Sequence, residues 1–140
     1  MPLVRISVHT STPTADRETI ADAVYEAMRE TIGIPEGDRF IVATPHSNEQ
    51  LFVDSHYMGM NRSERFILIQ IFLSQGRTLE QKQALYRRIA ERIQDSIGVS
   101  TDDVMTVLTE NTYVDWSFGK GEAQYVLNPP AWVREQTEAN

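Results

Sequence analysis

The sequence contains no cysteine in its 140 residues. That absence excludes a disulfide framework, a thiolate metal centre and a thiol nucleophile, so the fold rests on packing alone. A long hydrophobic run is missing too: the longest, Phe66 through Leu73, falls far short of the about 20 apolar residues a membrane helix needs. No charged-then-apolar leader precedes Val8, so the chain reads as soluble and cytoplasmic, with no membrane partner. Basic residues are outnumbered, 13 Lys and Arg against 20 Asp and Glu. The net charge of −7 and the lack of a basic stripe oppose nucleic acid as a partner. Neither G-x-x-x-x-G-K-[ST] nor G-x-G-x-x-G follows a strand, and no G-x-S-x-G elbow presents a serine nucleophile. His9, His46 and His56 lack the spacing of a metal site, so no metal and no other cofactor is expected. What remains is one acidic domain, able to bury about 70% of its unfolded surface, with a small molecule or a protein as its partner.

What is present is an internal repeat. A shift of 65 positions lays Ile32-Gly33-Ile34 on Ile97-Gly98-Val99 without gaps, and Asp38 on Asp103. The same shift puts Ile20, Val24, Met28 and Ile32 on Leu85, Ile89, Ile93 and Ile97, a spacing of four that marks one helical face in each half. It also lays Leu3, Val4, Ile6 and Val8 on Leu68, Ile69, Ile71 and Leu73. Each half therefore reads strand, helix, strand: 3–9, 15–32 and 39–44, then 66–73, 79–97 and 104–109. Hydroxyl caps at Thr14 and Thr78, and stops at Gly33 and Gly98, punctuate the helices. The fold class predicted is α/β, two β-α-β units (about 2–44 and 66–110) forming a four-stranded mixed sheet with both helices on one face. Residues 66–73 are apolar at both parities, the pattern of a strand covered on both faces, which predicts a homo-oligomer that covers the second one. A polar connection spans 45–65. Residues 111–127 are expected to form a β-hairpin turning at Gly119-Lys120-Gly121, before a docked or frayed tail over 128–140.

Pro2 stands out against this pattern, because the shift aligns it with Ile67, an ordinary strand residue. Methionine removal acts on chains with a small second residue, so Pro2 is expected to carry a free secondary amine. An α-amino group titrates near about 8 in a model peptide, and burial or a nearby arginine lowers that value. Such an amine is a base when neutral, an acid when charged, and a nucleophile toward a carbonyl. Proline is equally at home capping an N-terminal strand. The other candidates are also two-sided on residue type alone. Asp38 suits a turn cap after Gly37, Arg77 suits a solvated loop, and Trp116 with Phe118 suit a strand buried in core or interface.

Pro2 together with the β-α-β duplication resembles the tautomerase superfamily. Within it the likeness is to the malonate semialdehyde decarboxylases, carried by Met1-Pro2-Leu3, Gly37-Asp38-Arg39-Phe40, Ser74-Gln75-Gly76-Arg77 ahead of Glu80-Gln81-Lys82, and Glu110-Asn111 with Asp115-Trp116-Ser117-Phe118-Gly119-Lys120-Gly121. The resemblance implies a homotrimer using its amino-terminal proline, without cofactor, on a small carboxylate substrate bearing a carbonyl or an enol. It implies decarboxylation of malonate semialdehyde (3-oxopropanoate) or a close 3-oxo acid to acetaldehyde and CO2. Alternatives are a 2-keto acid tautomerase of phenylpyruvate type, a hydratase of unsaturated acids, or a non-catalytic trimeric binding protein. The implied catalytic residues are Pro2, Asp38 and Arg77. Arg77 and Gln75 would hold the carboxylate, and Trp116, Phe118 and Tyr125 would form an apolar wall. The family carries arginine at both positions held here by Gln75 and Arg77, and Gln75 offers a hydrogen bond without charge.

Overall fold

The structure, a computed structural model, describes residues 1–139. In chain order it contains β1 (Leu3–His9), α1 (Thr14–Ile32), β2 (Ile41–His46), β3 (Ile67–Ser74), α2 (Leu79–Ile97), β4 (Val104–Asn111), α3 (Gln124–Leu127) and α4 (Ala131–Glu138). The sheet order is β2-β1-β3-β4. β1 lies parallel to β2 and β3 parallel to β4, while β1 and β3 run antiparallel at the centre. The registers carry the duplication: Val4 pairs with Ile41 as Ile69 pairs with Thr106. Between β1 and β3, Val4 faces Ile71 and Ile6 faces Ile69, a pattern unchanged when the halves are exchanged. Arg5 and Gln70, equivalent under the shift, therefore meet on a local two-fold axis.

The core follows from the alternation of side chains along each strand. Val4, Ile6 and Val8 on β1 and Ile67, Ile69, Ile71 and Leu73 on β3 are buried beneath the helices. Ile20, Val24 and Met28 on α1 and Leu85, Ile89 and Ile93 on α2 cover them, at the helical spacing visible in the sequence. Both helices stop at a glycine in the left-handed region, Gly33 and Gly98, each with φ +67. α2 opens on a full capping box, Thr78 accepting from the Gln81 amide and Gln81 accepting from the Thr78 amide. α1 does not use the expected Thr14 cap. Pro13 holds the cap position with no side-chain bond, and the Thr14 hydroxyl, already inside the helix, accepts from Arg17 instead. Where the helices meet, Arg88 and Arg92 grip the carboxylate of Glu30 and hold its pKa down at about 2.

Two strand ends run past expectation for reasons of pairing, and one expected element is absent. β2 runs to His46 rather than residue 44, because its register with β1 continues to His9, and Pro45 is tolerated on an edge strand. β4 runs to Asn111 because it pairs with Ser74 at the end of β3. The expected hairpin over 111–127 does not form. A turn is present at Gly119–Gly121, but the Gln124 side chain takes the place of a second strand: its Oε1 accepts from the Phe118 amide and its Nε2 donates to the Gly119 carbonyl. The chain then coils into α3 and α4. On the sheet face away from the helices, Leu3, Val42, Met105 and Val107 stand in the open, from 37% to 51% exposed in the single chain. Among the described residues no helix is long and apolar enough to cross a membrane.

The connection between the halves is pinned by Asp103, only 3% exposed, which accepts from the Ser63 amide at 2.7 Å and the Ser63 hydroxyl at 2.6 Å. Replacing Asp103 by alanine removes both charge-assisted bonds and is expected to lower stability by about 2 kcal/mol. Urea unfolding of Asp103→Ala beside the parent chain measures that loss.

Candidate active site

Strand direction decides which residues can meet. Because β1 and β3 are antiparallel, the amino end of β1 lies beside the carboxyl end of β3, where Leu3 pairs with Phe72. Residues 75–77, leaving β3, therefore arrive next to Met1 and Pro2. Because β2 is parallel to β1, the turn before β2 arrives at the same place, and it carries Asp38. The first repeat thus brings its amino end and the Asp38 turn, and the second brings residues 75–77, to one end of the sheet.

The Asp38 turn is built from its neighbours. Gly37 has φ +86, a conformation that costs glycine least, and its amide donates to the Tyr25 hydroxyl at 2.9 Å. The Asp38 amide closes the turn on the Pro35 carbonyl. Arg39 stacks over the Tyr25 ring and pairs with Asp22, which steadies the anchor. The Arg77 turn is tied down independently. Arg77 donates to the Ser74 carbonyl at 2.8 Å, and the Gln75 amide donates to the Asn111 carbonyl at 2.7 Å.

Between these turns lies a cleft of about 560 Å³, lined by Met1, Asp38, Gln75, Arg77, Tyr125 and Trp132 among others. The Met1 amino group stands 3.9 Å from Asp38 Oδ2, and Pro2 is buried one residue further along. The Asp38 side chain is nine-tenths buried, and its Oδ1 has no hydrogen-bond partner. Burial pushes the Asp38 carboxyl above its ordinary pKa, although the amino group and Arg77 pull it down. Burial also draws the amino group below its usual value, with Asp38 opposing and Arg77 assisting. Arg77 is lowered by burial against the attraction of Asp38, Glu110 and Tyr125, and the Tyr125 phenol is raised by burial and then by Asp38. In each case lost hydration outweighs the attraction across the cleft. A site in which both an amine and a carboxyl are moved toward their neutral forms is suited to proton transfer near neutral pH.

An aromatic ladder flanks the cleft. Trp116 stacks on Phe118 at 5.7 Å, Phe118 meets Tyr125 edge-on at 4.7 Å, and Tyr125 meets Trp132 edge-on at 5.3 Å. The Trp116 indole donates to the Asn111 side chain at 2.8 Å, so the residue that anchors Gln75 also anchors the ladder. Of the candidates read from sequence, Asp38, Gln75, Arg77 and Tyr125 line the cleft. Trp116 and Phe118 stand behind Tyr125, in coil rather than on a strand. Trp132 and Gln136 were not expected there. The signal was available: Pro129-Pro130 before Ala131 marks a helix start, and residues four apart share a helical face. Among the described residues no three His, Asp or Glu side chains gather into a cation site.

The sequence model of the tautomerase enzyme family matches residues 38–119. The chain belongs to the tautomerase family. A tautomerase relative, the probable tautomerase YusQ of Bacillus subtilis, is 37% identical over 126 residues, covering 90% of this chain and 99% of the relative. Among solved structures, FG41 malonate semialdehyde decarboxylase inhibited by 3-bromopropiolate is 39% identical with a TM-score of 0.85, covering 92% of this chain and 98% of that one. The fused 4-OT symmetric trimer shares the tautomerase fold at 20% identity and a TM-score of 0.74, covering 90% and 98%.

A raised Asp38 pKa has a sign that can be tested. The folded chain holds this proton more tightly than the unfolded chain, so stability is lost as pH rises from the unfolded carboxylate range through the folded pKa. Asp38→Asn removes the loss. Thermal unfolding of the two proteins should show the variant's advantage widening as pH rises from about 4 and levelling off above the folded pKa.

Proposed function

We propose that the protein is a homotrimeric, cofactor-independent carboxy-lyase of the cytoplasm that converts malonate semialdehyde, or a close 3-oxo acid, to acetaldehyde and CO2. The observation that carries this reading is the single desolvated cleft shared by the chain's amino end, Asp38 and Arg77. With Met1 removed, the Pro2 nitrogen becomes a secondary amine within one peptide unit, about 3.8 Å between Cα atoms, of the present amino group. The 39% identity to a malonate semialdehyde decarboxylase supports the choice of substrate.

The chemistry needs a carboxylate clamp and an electron sink. Arg77 holds the carboxylate, with the Gln75 carboxamide beside it as a neutral donor. Protonated Pro2 polarises the aldehyde oxygen, or neutral Pro2 condenses with the aldehyde as an iminium with loss of water. Either way the C1–C2 bonding pair moves toward C3 as CO2 leaves, and a proton then adds to C2. Hydrolysis of the iminium, where formed, releases acetaldehyde. Asp38 opposes proton loss from the Met1 amino group, and in this reading it exerts the same pull on the Pro2 amine that takes its place. The apolar surroundings disfavour the carboxylate relative to departing neutral CO2.

Assembly follows from the open sheet face. Leu3, Val42, Met105 and Val107 form an apolar surface of the kind that other copies of the chain cover. The trimeric fused 4-OT neighbour supports three copies. A second enzymatic reading, 2-keto acid tautomerisation, draws support from the curated relative's description as a probable tautomerase. It uses the same groups, Pro2 moving a proton between carbon and oxygen while Arg77 holds the carboxylate.

One comparison separates the two readings and tests Pro2. Protein with its amino terminus confirmed by mass is given malonate semialdehyde and, separately, phenylenolpyruvate. The lyase reading expects faster decarboxylation than ketonisation. Pro2→Ala, shown by sedimentation to remain trimeric, is expected to lose at least about 100-fold in rate. Undiminished decarboxylation by that variant would remove Pro2 from the mechanism.

A further inference from the structure

The C-terminal helix reaches the cleft from a part of the chain outside both repeats. Trp132 and Gln136, four residues apart, both line it, while Val133 between them is 2% exposed and anchors the helix. Trp132 sits edge-on to Tyr125. Gln136 Nε2 donates to the Gln75 carbonyl at 3.3 Å, across the turn that carries Arg77. That turn has no side chain where the helix crosses it: a Cβ on Gly76 would lie 2.7 Å from Gln136 Nε2, and Gly76 has φ +124. The cleft, at about 560 Å³, offers far more room than a three-carbon acid fills. Arg77 and the Tyr125 phenol lie within electrostatic range of each other in it, and Trp132 extends the aromatic lining from Tyr125.

We propose that α4 is the specificity element of the cleft, with Trp132 receiving the apolar part of a carboxylic acid whose carboxylate rests on Arg77, and with Gln136 positioning the Gln75–Arg77 turn. The assignment rests on the cleft being the substrate site, and it makes an acid carrying a flat apolar substituent a better ligand than a bare short-chain acid. An aromatic side chain at position 132 is the requirement. The indole nitrogen plays no part in the argument, so phenylalanine should serve.

Binding without turnover tests this. Calorimetric titration of the trimer with propanoate and with 3-phenylpropanoate should show the aryl acid bound about tenfold more tightly, a difference of about 1.4 kcal/mol. Trp132→Ala should bring the ratio close to unity, and Trp132→Phe should keep most of it, with circular dichroism checking that each variant is folded. An unchanged ratio in Trp132→Ala, or no preference in the parent protein, would overturn the assignment. Because the titration needs no catalysis, failure of the parent protein to decarboxylate malonate semialdehyde would defeat the lyase reading and leave this result standing. Loss of the Trp132 effect would do the reverse.

Discussion

The competition between lost hydration and mutual attraction at the amino end of β1 governs the rest of the site. A carboxylate, an arginine and an amino group have been drawn into a cleft where water is scarce, and the attraction across it does not restore what burial removes. The 3.9 Å separation of amine and Asp38 is long for a strong ion pair, and Asp38 Oδ1 is left without a partner. Such an arrangement costs stability and must be held by its surroundings. The Tyr25 hydroxyl holds the Asp38 turn, Ser74 and Asn111 hold the Arg77 turn, and α4 closes over the latter. The strain on charge is then available to chemistry, since burial moves both the acid and the base toward their neutral forms.

Duplication supplied the scaffold, and the two copies diverge at the cleft. Asp38 and Asp103 occupy equivalent positions, but Asp103 spends both oxygens on Ser63 while Asp38 faces the cleft. Pro2 and Ile67 are equivalent too, but Ile67 opens β3 as an ordinary buried strand residue, while Pro2 directly follows Met1. Pro13 and Thr78 cap equivalent helices by different means, one through its preset φ of −58 and the other through a reciprocal box. Because β1 and β3 meet antiparallel, the amino end of the first repeat and the turn that leaves β3 in the second come to the same end. The first repeat contributes the amine and the acid, and the second contributes the arginine.

Much of this was legible in the amino-acid sequence where repetition and alternation carry the information. The 65-residue shift locates both helices and all four strands, because the buried faces of Ile, Val and Leu recur at the helical and strand periods. The second sheet face is legible from residues 66–73 in the same way, because Leu68 and Phe72 alternate with the buried Ile67, Ile69 and Ile71. Asp38, Gln75, Arg77 and Tyr125 were reachable only through resemblance, since none is distinguished by its own period or spacing. The C-terminal region was misread for a local reason. A glycine-rich turn looks the same whether a strand follows it or, as here, the side chain of Gln124 satisfies the turn and frees the chain to coil. Trp132 falls in the tail read as docked or frayed, where a helix of eight residues outside both repeats has no twin and only the prolines before Ala131 mark its start.

The amine itself gives the most direct test of the account. Nitrogen NMR titration of protein labelled at proline, with Met1 removed, reads the Pro2 pKa without reference to any substrate. The expected value lies below the about 8 of an ordinary α-amino group and rises when Arg77 is replaced by a neutral residue. An ordinary value that ignores Arg77 would contradict it.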